Sequence, residues 1–188
     1  MVAGPFPSGH VFFRCGTMRP EHHHMEATRM SFQTAKAWLD KKGFGDRVIV
    51  PEQSSATVEQ AAAALGCEPA HIAKTMALTV DGSPLLVLAA GDARLSNSLF
   101  KKAFHAKAHF IGAAEVEGLV GHAPGGVCPF GIRDGIRVYL DESLRRFDFV
   151  YPACGDDHSG VRLSCAELEE AAETAGWVDV CQGWRAEE

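Results

Sequence analysis

Apolar positions change their period several times along the chain, and each change marks an element. From Ser31, the residues Phe32, Ala35, Trp38 and Leu39 recur at helical spacing until Gly43 interrupts them, which predicts a first helix with Ser31 as its cap. Arg47 to Val50 reads as a short strand. Thr57-Val58-Glu59-Gln60 has the capping-box form and opens an alanine-rich helix that Gly66 closes. Lys74 to Val80 and Leu85 to Ala90 are strand-like apolar runs, and Asp81-Gly82 between them is a dipeptide favoured in tight hairpins.

The second half continues the mixture. Leu95, Leu99, Phe100, Ala103 and Phe104 share one side of an amphipathic helix, with Lys101 and Lys102 on the other. Ala106 to Ile111 predicts a strand, Ala114 to Val120 a short helix, and Ile136 to Leu140 beyond Asp134-Gly135 a second hairpin. Phe147 to Ala153 and Val161 to Leu163 extend the strands. Ser164-Cys165-Ala166-Glu167 is a capping box, with Leu163 and Leu168 placed as a hydrophobic staple, before a last helix whose buried face runs through Ala171, Ala172 and Ala175 to Gly176. Hairpins and helices without regular βαβ alternation predict an α+β domain over residues 31–176. Residues 1–30 show no sustained period and are expected to be a disordered extension, and 177–188 a short acidic tail.

Composition narrows the class. The chain has 188 residues, 46% of them hydrophobic, enough for one domain with a proper core. No apolar run approaches the eighteen or so residues that a membrane span requires, so a soluble protein is expected. Six cysteines lack C-x-x-C spacing and no secretory leader is evident, which predicts the reducing cytoplasm. The His22-His23-His24 run has no convergent partners, and neither a metal nor a cofactor is expected. Net charge is −6, but residues 165–188 carry all of that excess, leaving seventeen acidic and seventeen basic residues in the rest. Arg94, Lys101, Lys102, His105 and Lys107 fall in one stretch without an acid, suited either to a solvated helix face or to a polyanion such as RNA. No P-loop or G-x-S-x-G motif is present, which removes nucleotide hydrolysis and serine hydrolases.

The candidate chemistry lies in Gly121-His122-Ala123-Pro124-Gly125-Gly126-Val127-Cys128-Pro129-Phe130-Gly131, where four glycines and two prolines fix the direction of backbone amides. Such amides can hold a carbonyl oxygen, an oxyanion or a phosphate. Lys74, about fifty residues earlier, begins an apolar strand and adds a compact cation. Lysine, Thr75 and apolar strand residues, followed by the pattern G-x-x-x-G-G-x-x-P-x-G at Gly121, Gly125, Gly126, Pro129 and Gly131, resemble the YbaK/prolyl-tRNA-synthetase-associated editing domains across residues 31–175.

The resemblance implies a mixed, mainly antiparallel, barrel-like sheet flanked by helices, and hydrolysis of mischarged aminoacyl-tRNA. It implies Lys74 as the catalytic residue and Gly121, His122, Gly125, Gly126, Pro129 and Gly131 as substrate-binding residues. The ribose 2′-hydroxyl or the substrate itself would supply the base. The implied partners are the aminoacyl-tRNA acceptor end and an aminoacyl-tRNA synthetase, with no DNA and no membrane. Asp156 and Asp157, after Gly155, depart from the glycine-plus-basic pattern of such relatives. Two other readings stay open: an inert binder of tRNA ends or of a synthetase, and a metal hydrolase using Cys154, His158, Cys165 or Cys181, whose spacing is poor for a metal site.

Overall fold

The computed structural model describes residues 20–51, 57–157 and 159–185, with side chains from residue 29 onward. Five helices are α1 (Pro20–Lys42), α2 (Val58–Leu65), α3 (Asn97–Phe104), α4 (Ala113–Val120) and α5 (Cys165–Ala171). The strands are β1 (Val48–Ile49), β2 (Ile72–Val80), β3 (Ser83–Ala90), β4 (Arg94–Leu95), β5 (His109–Phe110), β6 (Arg137–Asp141), β7 (Tyr151–Pro152), β8 (Gly160–Val161), β9 (Gly176–Val178) and β10 (Cys181–Gln182). The main sheet runs β5-β2-β3-β6-β9, with β7 also on β2, while β1-β8 and β4-β10 form two-stranded ribbons.

The long β2-β3 hairpin organises the rest. Val80 pairs with Ser83, leaving Asp81 and Gly82 as a two-residue turn with φ of 49° and 77°, the left-handed pair that matches strand twist. β3 is antiparallel to β2 and parallel to β6, so it is interior to the sheet, and Leu85 to Ala90 are all fully buried. That placement explains an unbroken apolar run where a half-exposed strand would alternate. The pairs β3-β6, β6-β9 and β2-β7 are parallel, and the others antiparallel, so the class is α+β with a mixed sheet.

The expected barrel-like closure is corrected: the sheet is open, ending at β5 and β9. Closure needs edge strands that meet with a matching stagger. Here β5 pairs over two residues and β9 over three, and they do not pair with each other. Asp134-Gly135 also makes no hairpin, because β6 beyond it finds parallel partners in β3 and β9. The expected strand at Phe147–Ala153 shortens to Tyr151–Pro152, flanked by single bridges from Val150 to Leu163 and from Ala153 to Gly160.

Both ends of the domain differ from expectation. α1 starts at Pro20, so Ser31 is inside the helix instead of capping it, and residues 1–19 of the expected extension lie outside the described residues. Ser31 is buried, and its Oγ accepts a hydrogen bond from the Ala123 amide at 2.9 Å, tying α1 to the glycine-rich segment. Ala35 and Leu39 enter the core, and Trp38 Nε1 donates to the Ala171 carbonyl at 2.7 Å. α5 has the complete Ser164/Glu167 capping box but ends at Ala171, short of Gly176, which begins β9. Residues 177–182, expected in an acidic tail, therefore carry strand. Asp141, fully buried, accepts from the amides of Val180, Cys181 and Ser143 at 2.9, 3.1 and 3.0 Å and fixes that return of the chain.

Candidate active site

Lys74 is the third residue of β2, in register with Ala89 of β3. The hairpin delivers the end of β3 beside it, where the chain turns through Gly91, Asp92 and Ala93. Lys74 Nζ donates to the Gly91 carbonyl at 3.0 Å and to the Ala93 carbonyl. An ammonium has three protons, so two aim the group and one remains for a ligand. The turn is itself braced: Arg146 grips both Asp92 carboxylate oxygens, at 2.6 and 3.0 Å. Burial pushes the Lys74 ammonium below the ordinary lysine value, and the Asp92 carboxylate acts against that shift. Asp92 thus serves the turn, and Asn97 opens α3; neither lines the cleft.

A cleft of about 280 Å3 opens at Lys74. One wall is apolar, made by Val58, Ala61 and Leu65 of α2, with Thr57 at its start. Thr57 Oγ1 caps that helix by accepting from the Gln60 amide at 3.2 Å, and Gly66 ends it at φ 69°. Opposite lie Gly125 and Val127, then Tyr151 to Ala153, Asp156, Asp157, Ser159 and Gly160. The family resemblance joined Lys74 to the glycine segment; the fold puts Lys74, Gly125 and Val127 at one cavity.

Within that segment the six predicted residues have different positions. Gly121 caps α4 at φ 99°. Gly125 is exposed with φ 90° and lines the cleft. Gly126 is buried, and a Cβ there would run into the Gly155 carbonyl. Gly131 is pressed against Thr34 of α1, and Pro129 is buried. Thus Gly125 is the one member of the predicted set, besides Lys74, that reaches the cavity; the others shape and anchor the loop.

His122 requires a correction. It is fully buried and does not line the cleft; its Nε2 donates to the Phe130 carbonyl at 2.8 Å, and Cys128 Sγ lies 3.7 Å from the same nitrogen. Burial lowers its pKa, with the Phe130 carbonyl acting the other way, so the neutral tautomer carries its proton on Nε2. The sequence showed a histidine among glycines and suggested exposure. The loop instead folds its side chain inward.

Several cleft residues escaped the sequence reading. Tyr151 fell inside the expected strand Phe147 to Ala153 and Val127 inside the glycine-rich segment, and neither was singled out. Asp156 and Asp157 were noticed only as departures, yet both line the cavity, and Asp156 accepts from the Ser159 amide at 2.6 Å and its hydroxyl at 2.5 Å. The three-residue Asp-to-Ser spacing of that turn was the available signal. Burial pushes the Cys128 and Cys181 thiols up and takes Cys154 to about 12, leaving all three protonated at neutral pH. Among the described residues no group of three or more His, Cys, Asp or Glu is placed to hold a metal ion, and His158 lies outside them. No helix among the described residues is long and apolar enough to cross a membrane.

Comparison with known proteins bears on this site. The chain is 44% identical over 156 residues to the uncharacterized protein YwhH of Bacillus subtilis (strain 168), covering 82% of this chain and 99% of that protein. It is 29% identical over 101 residues to a proline–tRNA ligase of Lysinibacillus sphaericus (strain C3-41), which is 53% of this chain but 17% of the ligase. A crystal structure of a protein described provisionally as a trans-editing enzyme for prolyl tRNA synthetase superposes with a TM-score of 0.74 at 28% identity, covering 81% of this chain and 98% of that one. Residues 52–171, which hold Lys74, the glycine segment and every wall of the cleft, match the model of the aminoacyl-tRNA editing domain. The chain belongs to the aminoacyl-tRNA editing domain family.

Proposed function

We propose that the protein is a free-standing deacylase that hydrolyses the ester of mischarged aminoacyl-tRNA. The observation that carries this reading is the meeting of Lys74 and Gly125 at one small cleft in a member of an editing family. The third Lys74 proton grips the ester carbonyl or the adjoining phosphate and holds the reacting carbon beside water. The backbone around Gly125 faces the amino acid and accommodates charge on the tetrahedral intermediate. Water forms the new C–O bond, the bond to the ribose 3′-oxygen breaks, and that oxygen takes up the proton that the attacking water gives up, relayed through the neighbouring ribose hydroxyl. An aminoacyl ester is activated, and with His122 buried the neighbouring ribose hydroxyl takes the role of base. The cavity favours a small side chain over a larger one, a distinction worth about 1–3 kcal/mol per methylene.

Likeness to proline–tRNA ligases supports tRNA for proline as the carrier and a synthetase as a partner. Arg94, Lys101, Lys102, His105 and Lys107 are exposed, and none forms an ion pair with a described residue, so they provide the basic surface for the acceptor stem. The test is release of labelled amino acid from tRNAs charged with Ala, Cys, Ser, Thr or Pro. Selective release is expected from one mischarged species, falling at least about 100-fold in Lys74→Ala while its thermal melt is retained. Normal turnover by that variant would remove Lys74 from the mechanism. Binding of charged tRNA with no release from any species would leave an inert binding relative.

A further inference from the structure

Beside the Lys74 cleft lies a second cavity of about 560 Å3, and Tyr151 lines both. Leu65 and Ile72 face the first cavity while their chain neighbours Gly66 and His71 line the second, so the two are adjoining compartments. We propose that this second cavity is a nucleotide subsite, which takes the base and phosphate next to the terminal nucleoside whose ester lies at Lys74. The proposal rests on the deacylase reading for which nucleoside occupies the first cleft.

The walls carry the chemistry of a stacking platform. The Arg162 guanidinium lies 3.5 Å from the centre of the Phe149 ring, and Arg146 lies 4.8 Å from that of Phe147. His71 packs on Phe147 with ring centres 4.3 Å apart. Flat guanidinium and aromatic faces accept any base by stacking, the mode by which proteins hold single strands. The volume is that of a small-ligand cavity.

Charge limits how many phosphates fit. Arg146 is committed to Asp92, and Glu68 and Asp148 also line the cavity. Arg162 is exposed and has no carboxylate partner among the described residues. One uncompensated cation among aromatic faces suits a single nucleotide better than a long polyanion, for which a broad basic surface is needed. A 3′ strand leaving the Lys74 cleft past Tyr151 enters this cavity with its next nucleotide.

The test titrates the full chain calorimetrically with the trinucleotide CCA, the 3′ end of tRNA, and with adenosine monophosphate. Phe149→Ala and Arg162→Ala are expected to weaken CCA binding about tenfold, the size of one lost stacking contact, and to leave adenosine monophosphate unchanged. Arg162→Lys, which keeps the charge but not the flat face, should show an intermediate loss and guards against misfolding. Equal CCA affinity in all variants, equal losses for both ligands, or no CCA binding by the unaltered protein would overturn the subsite. The deacylase reading fails separately, through absence of release in the charged-tRNA panel while Arg162-dependent CCA binding persists.

Discussion

Lys74 shows how one side chain acquires chemistry from its surroundings. On an exposed strand end it would be a solvated cation. Here burial lowers its pKa while two carbonyls aim it. The sign has two consequences. The unfolded chain holds this proton more tightly, so Lys74 disfavours folding at neutral pH, and that penalty fades as pH rises toward the ordinary lysine value. If the cation grips substrate, kcat/KM should fall on an alkaline limb whose midpoint lies below about 10.4, the value of a free lysine. Lys74→Arg, which stays charged, should lack that limb even if its rate is lower. An alkaline limb identical in both proteins would assign it to another group. His122 has the same sign for the same reason, burial: its depressed pKa gives a contribution that is full above about 6.5 and is lost as pH falls through the folded value.

At the scale of elements, the glycine loop works by close approach. Gly126 lies against the Gly155 backbone, and Gly155 against Ser31 of α1, so three separate segments touch without side chains between them. Gly126→Val should therefore lower the melting temperature as well as activity, by several degrees for a loss of about 2 kcal/mol. Loss of activity with an unchanged melt would mean that Gly126 contacts substrate directly. The start of α5 gives a cleaner case. Ser164 Oγ accepts from the Glu167 amide at 3.3 Å, Glu167 accepts from the Ser164 amide at 2.9 Å, and Arg47 pairs with the same carboxylate at 2.6 Å. The Arg47 bond and the Ser164 amide hold the Glu167 carboxyl below its usual range. Its stabilisation is present above about 4.3 and is lost as pH falls through the folded value. Ser164→Ala should cost about 1 kcal/mol in denaturant unfolding, with turnover unchanged. The Ser164 capping box and the Thr57 cap were legible in sequence because they are local: four adjacent residues contain both partners.

For the whole molecule, the end of the described chain completes the sheet. β9 covers β6, and β10 pairs with β4, next to the turn that holds Lys74. Truncation after Ala175 should expose the β6 edge and leave Asp141 without its Val180 and Cys181 amides, a buried charge without enough donors. The expected outcome is loss of soluble, cooperatively melting protein, measured by soluble yield and thermal unfolding. A truncated chain with an unchanged melt would show that residues 176–188 are dispensable for the fold.

The family resemblance joined Lys74 to a glycine-rich loop, whereas the sequence by itself determined the helices that open near Thr57, Leu95 and Ser164, the β2-β3 hairpin and the α+β class. Those signals are periodicity, caps and turn dipeptides, whose physics acts within a few residues. The tertiary structure alone decided that β6 runs parallel to β3, that the sheet stays open, that the acidic C-terminal segment supplies strands and that His122 turns inward. It also selected Gly125 from its loop and set Tyr151, Asp156 and Asp157 around Lys74. These outcomes depend on which distant surfaces bury one another, and that balance of packing and desolvation leaves no fixed spacing along the chain.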